Sequence, residues 1–598
     1  MDGTHGQYAQ PSGWQDPGSI WTDARHYELY LALLGLAESF RSQGQPEAAY
    51  TCLVAITGLA VPYNINARIH CEIGKLLLRQ SSSVDVAKQY LSQAAQPSSA
   101  LENIKLDAAS CLAELCILQG NTQQARNILH GAIEQSQHSP YWQCNFILQL
   151  AKVFLHGQDF TVASQIIALG ESFSLRHQAQ YLNILFQLTR AQLSLRQKQI
   201  QTASVLLTEI QTSLSNPALV VSPLQREELR FYQLSLDCLW RLALGKVKSV
   251  RPYIQSLQTT LETMGQLRTA ASSNPFTFHP LEKFCFVPAD IFPALTFALS
   301  AQFFGMIGHH DKLDRLFQRS VPYLNSLDAL QQTPLQSALR TAMYQQVIPA
   351  SLTSGRSNQA LNEVSQYVTA CAKDPKLLAA HKGQIHVLLG LCAMQFGYLE
   401  VAESQLNMAY RSSSSNEMLI SVNLNLAMLY FRAQRFQDLL VVAQRIRPEV
   451  VTTENAGLRC AVAVLQGFVA FIERRGMDAK MLLRNSLQIS NEEDLNQLMA
   501  VSLMLMAKNC SALGEYHDVV KVAKTAYDLA EKIPDQTIQM SALTSLSEVY
   551  GMLGDFASQS SAVAILNRFT QKDNQEMLLV QQSPNLNILQ WTEETVSR

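Results

Sequence analysis

Three consecutive side chains, His309, His310 and Asp311, form the densest chemistry-bearing cluster in the 598-residue sequence. Two imidazoles and a carboxylate could relay a proton or hold a divalent metal, because imidazole titrates near neutral pH and ligates through a ring nitrogen. Either role needs further partners at fixed spacing. None is offered: there is no H-E-x-x-H, no C-x-x-C pair and no Cys/His set with zinc spacing. A P-loop, a G-x-G-x-x-G and a G-x-S-x-G are also missing. The triplet falls at a predicted interhelix turn, where polar residues belong. No catalytic residue, cofactor or metal is expected. Asn509-Cys510-Ser511 has the form of a glycosylation acceptor, but it lies inside a predicted helix of a chain without a signal-peptide pattern. The eleven cysteines, among them Cys71, Cys116, Cys392 and Cys460, sit mostly among apolar helix residues and read as reduced core thiols of an intracellular protein.

Composition narrows the function classes further. Hydrophobic residues make up 47 %, enough for a continuous core, and charged residues only 16 %, against about 25 % in ordinary soluble domains. A surface so poor in charge is expected to be covered in part by something else. The net charge is −2 and no Lys/Arg block occurs. Binding to the nucleic-acid backbone needs several cations on one face, so no direct nucleic-acid contact is expected. The uncharged run Ile291 to Gly308 contains Pro293, Ser300 and Gln302. It reads as a buried helix, not a membrane span.

The elements come from a repeat. In VLLGLCAMQFGYLEVAESQLNMAYRS, starting at Val387, Gly390 is followed by Gly397, Ala402 and Ala409, with Leu389, Leu399 and Leu406 between them. This is the small-and-large spacing of a tetratricopeptide (TPR) hairpin. Two antiparallel helices approach closely only where facing residues are small, which places Gly390 and Ala402 at the crossing. Gly397 ends the first helix in a left-handed conformation. Such a unit cannot bury its own apolar face and must recur. The turn position falls near Ser42, Ser81, Gly120, Gln158, Lys198, Gly245, Gly308, Gly355, Gly397, Gln434, Arg474, Gly514 and Gly554, in steps of 39, 39, 38, 40, 47, 63, 47, 42, 37, 40, 40 and 40 residues. The expected fold is all-α, a right-handed superhelical TPR-like solenoid of about 13 hairpins. Residues 1–20, rich in Gly, Gln, Pro and Ser, read as a disordered leader. An N-terminal TPR-like segment is expected over 21–271 and a Pro-rich loop or insertion over 272–293. A C-terminal TPR-like segment follows over 294–570, then a polar stretch over 571–598. That last stretch reads either as a tail or as a cap folding back through Leu586, Ile588, Leu589 and Trp591.

In a TPR hairpin the first helix lines the inner groove. Its inner residues lie three before, one after and four after the small crossing residue, a single stripe by the 3.6-residue period. The groove positions are therefore Ala32, Leu36 and Ser39, with Leu29 one turn earlier; Val387, Leu391 and Met394; Leu424, Met428 and Phe431; Val464, Phe468 and Phe471; and Met504. Lys508 and Ser511 continue the last set as polar residues. A register shifted by one would make all of these ordinary core residues. In the unshifted register they form a long apolar groove that needs a bound chain to cover it. Covering about ten such side chains at ~1.5–3 kcal/mol each gives roughly 15–30 kcal/mol gross. Ordering a disordered partner costs ~1–2 kcal/mol per residue, so tight binding requires a long footprint.

Several segments resemble one family in particular, the TPR-scaffold subunit of the cohesin-loading complex, partner of the Nipped-B-type loader. They are YLALLGLAESFR (30–41), SPYWQCNFILQLAK (139–152), GKVKSVRPYIQSLQ (245–258), EEDLNQLMAVSLMLM (492–506), AEKIPDQTIQMSALTSL (530–546) and NILQWTEE (587–594). They run from the first repeat to the last in order, and Tyr141-Trp142, Ile533-Pro534-Asp535 and Trp591-Thr592 are not generic TPR positions. The resemblance implies a non-catalytic superhelix that wraps the disordered N-terminal segment of the large loader subunit. It also implies that this pair brings cohesin to chromatin in the nucleus, supporting sister-chromatid cohesion. Two readings of other classes stand beside it. A generic TPR adaptor, a co-chaperone or a ubiquitin-ligase scaffold, is the second; the co-chaperone form would need Lys, Arg and Asn in the groove. An enzyme with a site in the 272–293 insertion, using His309, His310 or Asp311, is the third.

Overall fold

The computed structural model describes residues 24–43, 45–59, 61–78, 84–96, 102–271, 289–330, 334–413, 415–446 and 453–592. The 1–20 leader, most of the 272–293 insertion and the turn at Ser81 lie outside the described residues. Among the described residues there are 26 α-helices and no strand. They pair in chain order as thirteen antiparallel hairpins, and the all-α TPR-like fold is as the spacing predicts.

The chain divides into two compact units at the Leu229–Arg230 junction. The N-terminal unit holds α1 (Ala24–Ser42) with α2 (Pro46–Thr57), α3 (Tyr63–Leu78) with α4 (Val84–Ala94), and α5 (Glu102–Leu118) with α6 (Thr122–Gln135). It continues with α7 (Pro140–His156) and α8 (Phe160–Arg176), then α9 (Gln180–Arg196) and α10 (Ile200–Ser215). Its ties between hairpins join neighbours. Trp142 Nε1 donates to Asn103 Oδ1 at 3.2 Å, and Gln149 Nε2 to Ser110 Oγ at 2.7 Å.

The C-terminal unit begins within α11 (Pro223–Ala243), followed by α12 (Arg251–Ala271), α13 (Phe292–Ile307), α14 (His310–Leu330), α15 (Pro334–Thr353) and α16 (Ser357–Ala372). Next come α17 (Pro375–Gln395) with α18 (Leu399–Ser412), α19 (Asn416–Arg432) with α20 (Phe436–Arg445), and α21 (Ala456–Ile472) with α22 (Gly476–Glu492). The last hairpins are α23 (Asn496–Ala512) with α24 (Tyr516–Lys532), and α25 (Gln536–Leu553) with α26 (Phe556–Gln582).

Crossing and turn follow from residue type. A Cβ built on Gly390 would lie 2.8 Å from Leu406 Cγ, and one on Gly467 2.9 Å from Leu483 Cγ; only a hydrogen lets the two helices meet there. At the turn, Tyr398 N donates to Ala393 O at 2.9 Å around Gly397, whose φ is +83°, the Schellman closure of a helix end. Eleven of the thirteen turn positions read from spacing have this left-handed backbone: seven glycines, and Gln158, Lys198, Gln434 and Arg474. The second helices present small stripes. In α24, Val519, Ala523, Ala526 and Ala530 are buried at helical spacing, and side-chain caps such as Asp159, Asn455 and Asp535 start the helices that follow turns.

Within the C-terminal unit, hairpins far apart in sequence also touch. Asn455 Nδ2 donates to Ala243 O at 2.7 Å, Ala456 N to Leu244 O at 2.8 Å, and Asn496 Nδ2 to Ile307 O at 3.0 Å. After α26 a 3-10 segment, Pro584–Gln590, packs back on the same unit's core, with Leu589 and Trp591 buried.

Candidate partner-binding groove

First helices position the groove residues, and their three register positions do not share one fate. The positions three before the crossing residue are mostly inside: Val387, Val464 and Met504 are buried, and Leu424 is half-buried. Adjacent first helices pack side by side, so this position turns toward the neighbouring helix. Leu391 and Phe468, one after the crossing, are half-buried against the core, and Met428 is 47 % exposed. Four after, Met394 is buried, Phe471 half-buried and Phe431 39 % exposed. In the N-terminal unit Leu29, Ala32 and Leu36 are all exposed on α1.

One part of the stripe forms a continuous aromatic surface on α19, α20 and α21. Phe431 meets Phe468 edge-on with ring centroids 4.7 Å apart, and Phe468 stacks toward Phe471 at 6.5 Å. Phe436, at the first position of α20, extends the cluster from Phe431 at 6.4 Å and is itself exposed. Sequence reasoning missed Phe436, because it belongs to a second helix; an aromatic two residues after the turn at Gln434 was the available signal. Edge-to-face pairs of this kind add ~0.5–1.5 kcal/mol beyond area burial, which holds the rings in place before any partner arrives.

Charge at the rim is self-satisfied. Arg435 pairs with Glu403 at 2.7 Å and with Asp438 at 2.7 Å, and its guanidinium lies 4.7 Å from the Tyr430 ring centroid. Arg432 Nη1 donates to Met394 O at 2.9 Å, closing the end of α17. It also lines a cavity of about 290 Å³ with Gly355, Gln395, Gln536, Thr537, Met540 and Asp573. This surface offers a chain an apolar track with polar ends, and no nucleophile paired with a base.

His309-His310-Asp311 is placed differently from a reactive triplet. His310 is buried, with Nδ1 3.1 Å from Ser354 Oγ and 3.3 Å from Thr353 Oγ1. Burial, reinforced by the nearby Arg356 charge, pushes its imidazole down to about 4. Arg356 is paired with Asp314. Close by, Glu363 accepts from Ser351 at 2.9 Å and from Gln359 at 2.8 Å, and burial pushes its carboxyl up to about 7. No group of three or more His, Cys, Asp or Glu side chains suited to a metal occurs among the described residues.

The chain as a whole is similar to several known proteins. A family model described as cohesin loading factor matches residues 29–557. The MAU2 chromatid cohesion factor homolog of Drosophila melanogaster is 28 % identical over 586 residues, covering 96 % of this chain and 92 % of the relative. That of Drosophila ananassae is 29 % identical over 543 residues, covering 90 % and 85 %. Among solved structures, Scc4 in complex with Scc2n is similar with a TM-score of 0.56 at 12 % identity, over 92 % of this chain and 98 % of that one. Scc4 in complex with Scc2n and Ctf19n is similar with a TM-score of 0.57 at the same identity and coverage. At that identity the structural likeness speaks to the fold.

Proposed function

The chain belongs to the cohesin loading factor family, and from that premise we propose that it is the scaffold subunit of a cohesin loader. In this reading it takes up the extended N-terminal segment of a large Nipped-B-type loader subunit, touching cohesin only through that partner. It performs no catalysis, works on chromatin in the nucleus and supports sister-chromatid cohesion. Scc4, its structural relative, is described in complex with Scc2n, which supports a partner of this kind. The groove residues of the reading are Leu29, Ala32 and Leu36 in the N-terminal unit, and Leu391, Leu424, Met428, Phe431, Phe468 and Phe471 in the C-terminal unit. Phe436 joins them; Val387, Met394, Val464 and Met504 support them from beneath.

The observation that carries the proposal is the preset aromatic surface of Phe431, Phe468 and Phe471, with Met428 and Phe436 exposed beside it. Desolvating one such ring contributes ~1.5–3 kcal/mol, and every 1.4 kcal/mol is tenfold in affinity. Phe431→Asp is therefore expected to weaken capture of the loader's N-terminal segment by at least tenfold while leaving the helical circular-dichroism signal intact, and Phe468→Asp to do the same. Wild-type affinity in both variants would remove the groove assignment. Purification of the full-length chain from nuclear extract, with a high-salt wash, separates this reading from a generic adaptor. One large salt-resistant partner is expected, whereas chaperones or ligase subunits would overturn it.

A further inference from the structure

Helix α26 is the longest among the described residues, 27 residues, and it outlasts the hairpin it completes. Its later turns run along α16, where Glu576 accepts from the backbone N–H of Asn358 at 3.2 Å. Beyond Ser583, Asn585 Nδ2 donates to Asn362 Oδ1 of α16 at 2.9 Å. The segment then crosses α17 and α18. There a single amide reads its backbone: Gln405 Nε2 donates to the carbonyls of Leu589 at 2.9 Å and Trp591 at 3.2 Å. The other end of that amide, Oε1, lies 2.7 Å from His386 Nδ1, and the His386 ring faces the Trp591 indole with centroids 5.2 Å apart. Leu589 and Trp591 are 3 % and 4 % exposed, and Leu586 and Ile588 pack partly buried on the same core.

Gln405 and His386 are themselves almost wholly buried. A buried amide must be hydrogen-bonded, and the Gln405 NH₂ group donates to the carbonyls of residues 589 and 591. The surface is thus built around a peptide main chain, as a receptor's would be. The indole Nε1 of Trp591 is buried and has no hydrogen-bond partner among the described residues.

We propose that residues 583–591 are a peptide ligand docked in cis, a latch that fastens the end of the last hairpin to α16, α17 and α18. The surface of Asn362, His386 and Gln405 then accepts a 3-10 segment bearing Leu586, Leu589 and Trp591 in this spacing, and accepts it as a separate peptide of the same sequence when the chain's own copy is removed. A tethered ligand has an effective concentration near millimolar, so the wild-type chain excludes the same peptide added from outside.

The test uses the full-length chain carrying Leu589→Ala with Trp591→Ala. Hydrogen exchange is expected to quicken at least tenfold for the amides of α17, α18 and 583–591, with the N-terminal unit unchanged. A synthetic peptide of residues 580–593 is expected to restore protection to α17 and α18, and to bind the variant at least tenfold more tightly than wild type. Unchanged exchange, failure of the peptide to restore protection, or equal binding to both proteins would each overturn the proposal. If the double substitution unfolds the C-terminal unit, Gln405→Met removes the two donors together with the Oε1 that faces His386; residues 586–592 should then lose protection at full helicity, and retained protection overturns the latch.

Discussion

Two buried side chains a few residues from one ion pair carry opposite titration penalties. His310, held down to about 4 by burial, must take up a proton to unfold below its ordinary 6.5. Its folded form binds fewer protons than its unfolded form between about 4 and 6.5, so it makes stability rise with pH across that window. Glu363, raised by burial from 4.5 to about 7, does the reverse. Its stability is fully present below about 4.5 and is lost as pH rises through 7. Each is worth roughly 3 kcal/mol at 1.36 kcal/mol per pKa unit, and the windows overlap almost completely. The summed contribution of His310 and Glu363 is expected to be nearly flat between pH 4.5 and 6.5. Glu363→Gln should leave stability rising over about pH 4 to 6.5, and His310→Gln should leave it falling over about pH 4.5 to 7. Urea midpoints at five pH values measure both slopes; parallel profiles in the two variants would contradict the opposed shifts. A sequence shows the histidine and the glutamate but not the depth to which helices α15 and α16 bury them, so this pairing was not legible there.

At the scale of the element, the turns were legible and the groove only in outline. Turn positions stand out because the left-handed residue sits at a fixed distance from small crossing residues, which survives even where Gln434 or Arg474 replaces glycine. That replacement has a cost: a left-handed non-glycine residue carries ~1–2 kcal/mol of strain. Gly514, at φ +78° with nothing near its missing Cβ, isolates the effect. Gly514→Ala should lower stability by about 1 kcal/mol, and Gln434→Gly should raise it by a similar amount. Urea midpoints moving in the same direction for both would mean that the turns are not strained. Groove depth depends instead on how far adjacent first helices approach. Val387 and Met394 on α17 are buried and Met428 on α19 is left in water, although all three hold inner-face positions of first helices. Leu391 and Phe468 fall between these extremes, each half-buried against the core.

For the whole molecule, the shortage of charge has a practical meaning. Surface left apolar, as on α1 and on the aromatic cluster, is tolerable when a partner covers it. A ligand that binds only the folded chain stabilises it by about 4 kcal/mol at a thousandfold excess over Kd. Limited proteolysis of the full-length chain should therefore slow at least tenfold in the presence of the loader's N-terminal segment. Because the track is apolar, that protection should persist at 0.5 M salt. Identical cleavage with and without the segment would mean that the groove is not what it covers.

The long-range ties in the C-terminal unit bear on how the chain is made. Stacked hairpins propagate from neighbour to neighbour, so most of this fold can form as it leaves the ribosome. The bonds from Asn455 to Ala243 and from Asn496 to Ile307 cannot: their partners are 212 and 189 residues apart. At a synthesis rate of about 5–20 residues per second, the carbonyl of Ala243 waits on the order of 10–40 s for its donor. During that interval the edge at α11 is open to solvent and to other nascent chains. Polysomes would thus hold neighbouring copies, each exposing the same unpaired carbonyl and each making an asparagine that fits it. The risk of pairing with the wrong copy ends only when a chain's own Asn455 has been translated and closed onto that edge.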